Sequence, residues 1–114
     1  MPRILVVDDQ LALAETIADG LCDRGYSARA LGTGREALAA LERDEIDLVV
    51  TDLRMPEIDG LSVLEAARDI PVIMMTAYGA IDSAVEATRR GAFHLLTKPF
   101  KLDELVLLVE RALR

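Results

Sequence analysis

The chain has 114 residues, a formal net charge of −7 and a sequence pI near 4.6, a balance that excludes a domain gripping nucleic acid by itself, because phosphate backbones are held by Lys and Arg. Apolar residues make up 52% and charged residues 29%, which excludes a disordered chain. No run approaches the ~20 apolar residues of a membrane span, and the start, MPRILVV, does not read as a signal peptide.

The first predicted strand is ILVV at 4–7, and Asp8 and Asp9 follow it directly. Leu13, Ile17 and Leu21 then recur at helical spacing, with Gly25 as the stop. YSARAL at 26–31 alternates, as an edge strand does. Thr33 and Glu36 in TGRE have capping-box spacing and open a second helix. LVV at 48–50 is the next strand, and Thr51 and Asp52 close it. Asp59 and Gly60 precede the helical LSVLEAAR. VIMM at 72–75 is a fourth strand, ending in Thr76. SAVE at 83–86 repeats the capping-box spacing, and Arg89, Arg90 and Gly91 close that helix. FHLL at 93–96 is a fifth strand, followed by Thr97, Lys98 and Pro99. The last helix spans 102–113; Leu102, Leu105, Val106, Val109 and Leu113 form its apolar stripe, and Leu107 lies roughly 140° away from Leu102.

The strand runs are short, rich in β-branched residues and mostly non-alternating, the pattern of parallel strands covered on both faces. The expected fold is α/β: a (βα)5 chain, one domain over residues 1–114, with a central parallel five-stranded sheet between two helical layers. Cys22 is the single cysteine, so no internal disulfide forms; a soluble, cytoplasmic protein is expected.

In a parallel sheet all carboxyl ends share one edge, and ligands bind outside that edge. Here the edge collects Asp8, Asp9, Asp52, Thr76 and Lys98. Like charges at ~4 Å cost about 4 kcal/mol per pair at an effective dielectric near 20. One lysine offsets part of that, and a hard divalent cation offsets more; oxygen ligands without His or Cys point to Mg²⁺ or Mn²⁺. With the cation in place, Asp52 is the candidate nucleophile for an aspartyl phosphate, Lys98 the point charge on the phosphoryl group and Thr76 a hydroxyl donor. The plainer reading makes each Asp a turn residue, which does not account for four strands ending alike.

The motifs ILVVDDQ (4–10), DLVVTDLRMPEIDG (47–60), PVIMMTAYG (71–79) and GAFHLLTKPF (91–100) together resemble the receiver domain of two-component response regulators. MTAYGAIDSAVEATRRGA is similar to receivers of enhancer-binding transcriptional activators. The resemblance implies a flavodoxin-like sheet of order 2-1-3-4-5 and phosphoryl transfer to Asp52 from a histidine kinase or phosphotransfer protein. It implies Asp9, Asp52 and the backbone carbonyl of Arg54 as direct Mg²⁺ ligands, with Asp8 acting largely through water. Lys98 matches the phosphate-binding lysine, Thr76 the hydroxyl that moves on activation, and the Ala77 N–H a further donor. A cis Lys98–Pro99 bond, an output domain on the same chain or a separate one, and homodimerisation through the fourth helix, fifth strand and fifth helix are also implied. Leu95 departs from the family, which carries an aromatic switch there. The segment from Gly60 to Pro71 is about one helical turn shorter than usual, and Arg54 and Tyr78 stand where the family tunes phosphoryl lifetime.

Two alternatives share these residues. A Mg²⁺-dependent phosphohydrolase with an aspartyl-phosphate intermediate needs a second acid two residues after the nucleophile, where Arg54 stands. A flavodoxin-like nucleotide binder would have its phosphate repelled by Asp8 and Asp9. His94 reads as a packed or edge residue, Cys22 as an inert thiol, and Met74 and Met75 as core filler. Leu107 is an interface candidate.

Overall fold

Among the residues that the computed structural model describes, 1–77 and 81–114, five strands alternate with five helices. The order is β1 (Arg3–Val7), α1 (Leu11–Asp23), β2 (Ser27–Leu31), α2 (Gly34–Arg43), β3 (Leu48–Asp52), α3 (Gly60–Ala66), β4 (Val72–Thr76), α4 (Ile81–Arg89), β5 (His94–Thr97) and α5 (Leu102–Ala112). Every strand pair is parallel and the sheet order is β2-β1-β3-β4-β5, the flavodoxin-like arrangement. YSARAL supplies an edge strand, as its alternation predicts; β5 is the other edge.

Side chains alternate across a strand, so each central strand feeds two cores. Ile4, Val6, Leu48, Val50, Ile73 and Met75 face α1 and α5, whose Ile17, Leu21, Leu105 and Val109 cover them. Leu5, Val7, Val49, Val72 and Met74 face the opposite layer, where Ala37, Ala40, Val63 and Ala87 pack. This two-sided burial explains why the strands read as unbroken apolar runs. Met74 and Met75 are fully buried on opposite faces, as core filler is. A fully buried leucine such as Leu105 stabilises by about 1.5–3 kcal/mol.

The helix ends largely follow the chain signals. Gly25 and Gly91 take φ of +95° and +100°, the left-handed geometry that ends a helix at low cost for glycine. Thr33 Oγ1 accepts from the Glu36 N–H at 3.1 Å, and Asp59 Oδ1 from the Ser62 N–H at 3.1 Å. The fourth helix is a correction: it starts at Ile81, so Ser83 lies inside its first turn and is not its N-cap. Spacing alone cannot tell a cap from a first-turn position. The stripe on α5 was also too narrow, because Leu108 is buried beside Leu105 and Val109, whereas Leu107 is exposed as expected. His94 is exposed on the β5 edge.

Gly60 ties α3 to the end of β3. Its N–H donates to Leu53 O at 2.8 Å, and a Cβ there would press on Asp52 O and lie 2.8 Å from Met74 Sδ and 2.9 Å from Leu53 Cα. Main-chain neighbours cannot step aside as a side-chain tip can. Gly60→Ala is expected to destabilise the domain by about 1–3 kcal/mol, the range for overpacking, measured by urea denaturation.

Candidate phosphoryl and metal site

The sheet's strand order reverses between β1 and β3, so the crevice for a ligand opens where these strands end. Asp8 and Asp9 follow β1, and Asp52 is the last residue of β3. One carboxylate oxygen from each of the three lies within 4.8 Å of the others. Asp8 is fully buried, Asp52 retains 13% side-chain exposure and Asp9 is open to solvent. Lys98 reaches the cluster from the loop after β5. Its Nζ donates to Asp8 Oδ2 at 2.7 Å and lies 3.5 Å from Asp52 Oδ1. The Lys98–Pro99 bond is cis, as the resemblance implied.

Asp8 is held from a second side by the Gln10 N–H, which donates to Oδ1 at 2.9 Å. Sequence reading passed over Gln10. The signal is an Asp that bonds the backbone two residues on, a common turn in which the side chain takes the place of a main-chain acceptor. Thr76 is buried at the end of β4, one register step beyond Met75, the partner of Asp52. Its carbonyl accepts from the Lys98 N–H at 2.8 Å, so the lysine is fixed to the strand that carries the hydroxyl. Ala77 follows, exposed. Arg54 lies exposed in the loop from β3 to α3. Leu95 is half-buried against the core beneath α2, α3 and α4. Tyr78 lies outside the described residues.

Burial raises the Asp52 pKa above its ordinary 3.8; the Asp8 charge adds to this, Lys98 opposes it, and Asp9 contributes in the same direction as Asp8. Burial works against the Lys98 ammonium, but its hydrogen bond to Asp8 and the charges of Asp52 and Asp8 outweigh this and raise its pKa. Three carboxylates and one ammonium leave an excess of negative charge in a cleft. Among the described residues the donors are all carboxylate oxygens, which are hard ligands. This set fits a hard divalent cation.

The profile of the response regulator receiver domain matches residues 4–110. The chain belongs to that family. It is 42% identical to regulatory protein AtoC of Escherichia coli over 116 residues, covering 98% of this chain and 25% of that protein. It is 40% identical to the DNA-binding transcriptional regulator NtrC of Salmonella typhimurium over 114 residues, covering 96% and 24%. The crystal structure of the receiver domain of NtrX from Brucella abortus superposes with a TM-score of 0.89 at 39% identity, covering 96% of this chain and 97% of that one. The chain thus spans about a quarter of the length of the curated relatives it matches. It is a receiver, a regulatory module of two-component signalling, and the hydrolase alternative is not favoured.

Proposed function

We propose that residues 1–114 form one receiver domain that takes a phosphoryl group onto Asp52 from the phosphohistidine of a histidine kinase or phosphotransfer protein. The observation that carries this reading is the meeting of Asp8, Asp9, Asp52 and Lys98 at the reversal point of the sheet. A carboxylate oxygen of Asp52 attacks phosphorus, the P–N bond breaks, and its electron pair leaves with the imidazole. Lys98 meets the incoming charge as a point cation, and the Thr76 hydroxyl and Ala77 N–H donate to the phosphoryl oxygens. Asp8, Asp9, Asp52 and the Arg54 carbonyl would hold Mg²⁺, or Mn²⁺, which when bound neutralises charge on the phosphoryl oxygens. The same residues assist hydrolysis of the acyl phosphate by water, which resets the domain. The donor protein has room against an apolar groove of about 520 Å³ beside Lys98, lined by Leu13, Ile17 and Phe100.

The added charge switches an output domain, in transcription regulation, through the face of α4, β5 and α5. Val85, Phe93 and Leu107 are exposed there. Leu95 has no hydroxyl to expose, so it would couple Thr76 to this face by filling or vacating a pocket. A transcriptional output implies action in the cytoplasm, and no helix among the described residues is long and apolar enough to cross a membrane. Leu107→Asp is expected to weaken self-association of the phosphorylated domain about tenfold or more, the worth of one buried leucine, by sedimentation velocity. Unchanged association would remove Leu107 from the interface.

The test is intact mass after incubation with Mg²⁺ and acetyl phosphate or phosphoramidate. One added phosphoryl group is expected, and none when EDTA replaces Mg²⁺. No uptake from either donor at saturating Mg²⁺ would overturn the assignment.

A further inference from the structure

β3 is apolar until its end, where Thr51 puts a hydroxyl into a fully buried position. Its register partners are Val7 and Met74, both in the core beneath α2, α3 and α4. Valine would fill such a place without a polar atom to satisfy, and a buried hydroxyl without a partner is unfavourable. The partner that Thr51 has is specific: Oγ1 donates to the main-chain carbonyl of Asp52 at 3.0 Å.

That carbonyl stands where the sheet gives least support. The β1–β3 pairing ends at Val7 and Thr51, so Asp52 has a register partner on β4 but none on β1. The Thr51 hydroxyl bonds this carbonyl, and Gly60 leaves it no more room than a missing Cβ allows. Successive side chains of a strand point to opposite faces, so Thr51 and the Asp52 carboxylate do not share a side. They communicate through the main chain. The direction of the Asp52 carbonyl fixes its ψ angle, and backbone angles select the side-chain rotamer.

We propose that Thr51 is a positioning residue for the Asp52 carboxylate, acting through the Asp52 carbonyl. Its role in phosphoryl uptake rests on the function proposed above; its role in cation binding does not. Supporting groups one bond away from a metal ligand typically change affinity or activity by about 10–100-fold when removed.

Thr51→Val keeps the shape and removes the hydroxyl; Thr51→Ser keeps the hydroxyl and removes a buried methyl. Both changes cost the fold, Ser by a buried methyl and Val by leaving the Asp52 carbonyl unpaired, so under a merely structural role neither variant loses function when assayed well below its melting temperature. Positioning makes function follow the hydroxyl, so Val is worse. Three readouts decide: melting temperature, Mn²⁺ affinity by electron paramagnetic resonance, and the rate of labelling by acetyl phosphate. Assayed well below its melting temperature, Thr51→Val is expected to lose on the order of tenfold in Mn²⁺ affinity and in labelling rate. Thr51→Ser is expected to retain both functions. Wild-type Mn²⁺ affinity in Thr51→Val, or a parallel loss in both variants, would overturn the proposal. A wild-type protein that takes up no phosphoryl group would remove the proposed function, yet a hydroxyl-dependent Mn²⁺ affinity would still support the positioning role.

Discussion

Asp52→Asn is expected to abolish phosphoryl uptake from acetyl phosphate and, in the metal-free protein at pH 7, to raise the melting temperature. The first effect follows from the loss of the attacking oxygen, since an amide is no substitute nucleophile. The second follows from the environment of the carboxylate. Its pKa is raised from 3.8 by burial first and by the Asp8 charge second, with Lys98 compensating in part. A raised carboxyl binds its proton more tightly in the folded chain than in the unfolded one. Below about pH 3.8 both states are protonated and ionisation costs the fold nothing. As pH rises from there through the folded pKa, the cost of the ion appears, and it is fully present above that pKa. The Asn variant escapes that cost. Its advantage should therefore be present at pH 7 and shrink toward zero as the pH approaches 3.8. Melting curves across pH check the sign: an advantage that grows on acidification would contradict the burial argument. Saturating Mg²⁺ should reverse the order, because a cation at 100 times its Kd stabilises the wild type by about 2.7 kcal/mol and the variant by less. On the proposed function, stability and reactivity are opposed at this residue, as expected where charge is gathered for chemistry.

The architecture was legible because its signals are local and repeated. ILVV, LVV and VIMM read as strands buried on both faces, and the polar residue after each one marked the edge where a site had to lie. That edge brought Asp8, Asp9, Asp52 and Lys98 together, although 90 positions separate Asp8 from Lys98. What escaped the sequence concerns main-chain groups. The Gln10 N–H on Asp8 and the Thr51 hydroxyl on the Asp52 carbonyl depend on turn geometry and register, which residue types do not encode. The start of α4 was misplaced for a related reason. Ser83 has the right residue three positions before Glu86, but helix formation had already begun at Ile81. On α5, Leu108 sits at the margin of an ideal apolar stripe and is buried because the helix packs more broadly than the stripe suggests.

Lys98→Ala is expected to show how the site divides its charge between a fixed ammonium and an exchangeable cation. The Asp8 carboxylate is fully buried, with Lys98 Nζ at 2.7 Å and the Gln10 N–H at 2.9 Å. Removing one partner of a buried ion pair costs about 3–5 kcal/mol, and the partial exposure of Lys98 places this case near 3 kcal/mol. Against a total stability of about 5–15 kcal/mol for a domain, that is a large loss, visible in a melt without Mg²⁺. The same change removes a positive charge from beside a cation site. Repulsion between Lys98 and Mg²⁺ disappears, so Mg²⁺ should bind the variant more tightly, on the order of tenfold or 1.4 kcal/mol. Mg²⁺ should therefore raise the melting temperature of Lys98→Ala more than that of the wild type. Labelling by acetyl phosphate should nevertheless stay about 10²–10³-fold slower, because the ammonium meets charge on the phosphoryl group that the carboxylates cannot. Weaker Mg²⁺ binding in the variant would mean that Lys98 organises the carboxylates more than it competes with the cation. Tighter binding with slow labelling assigns the lysine to the phosphoryl group and the acids to the metal.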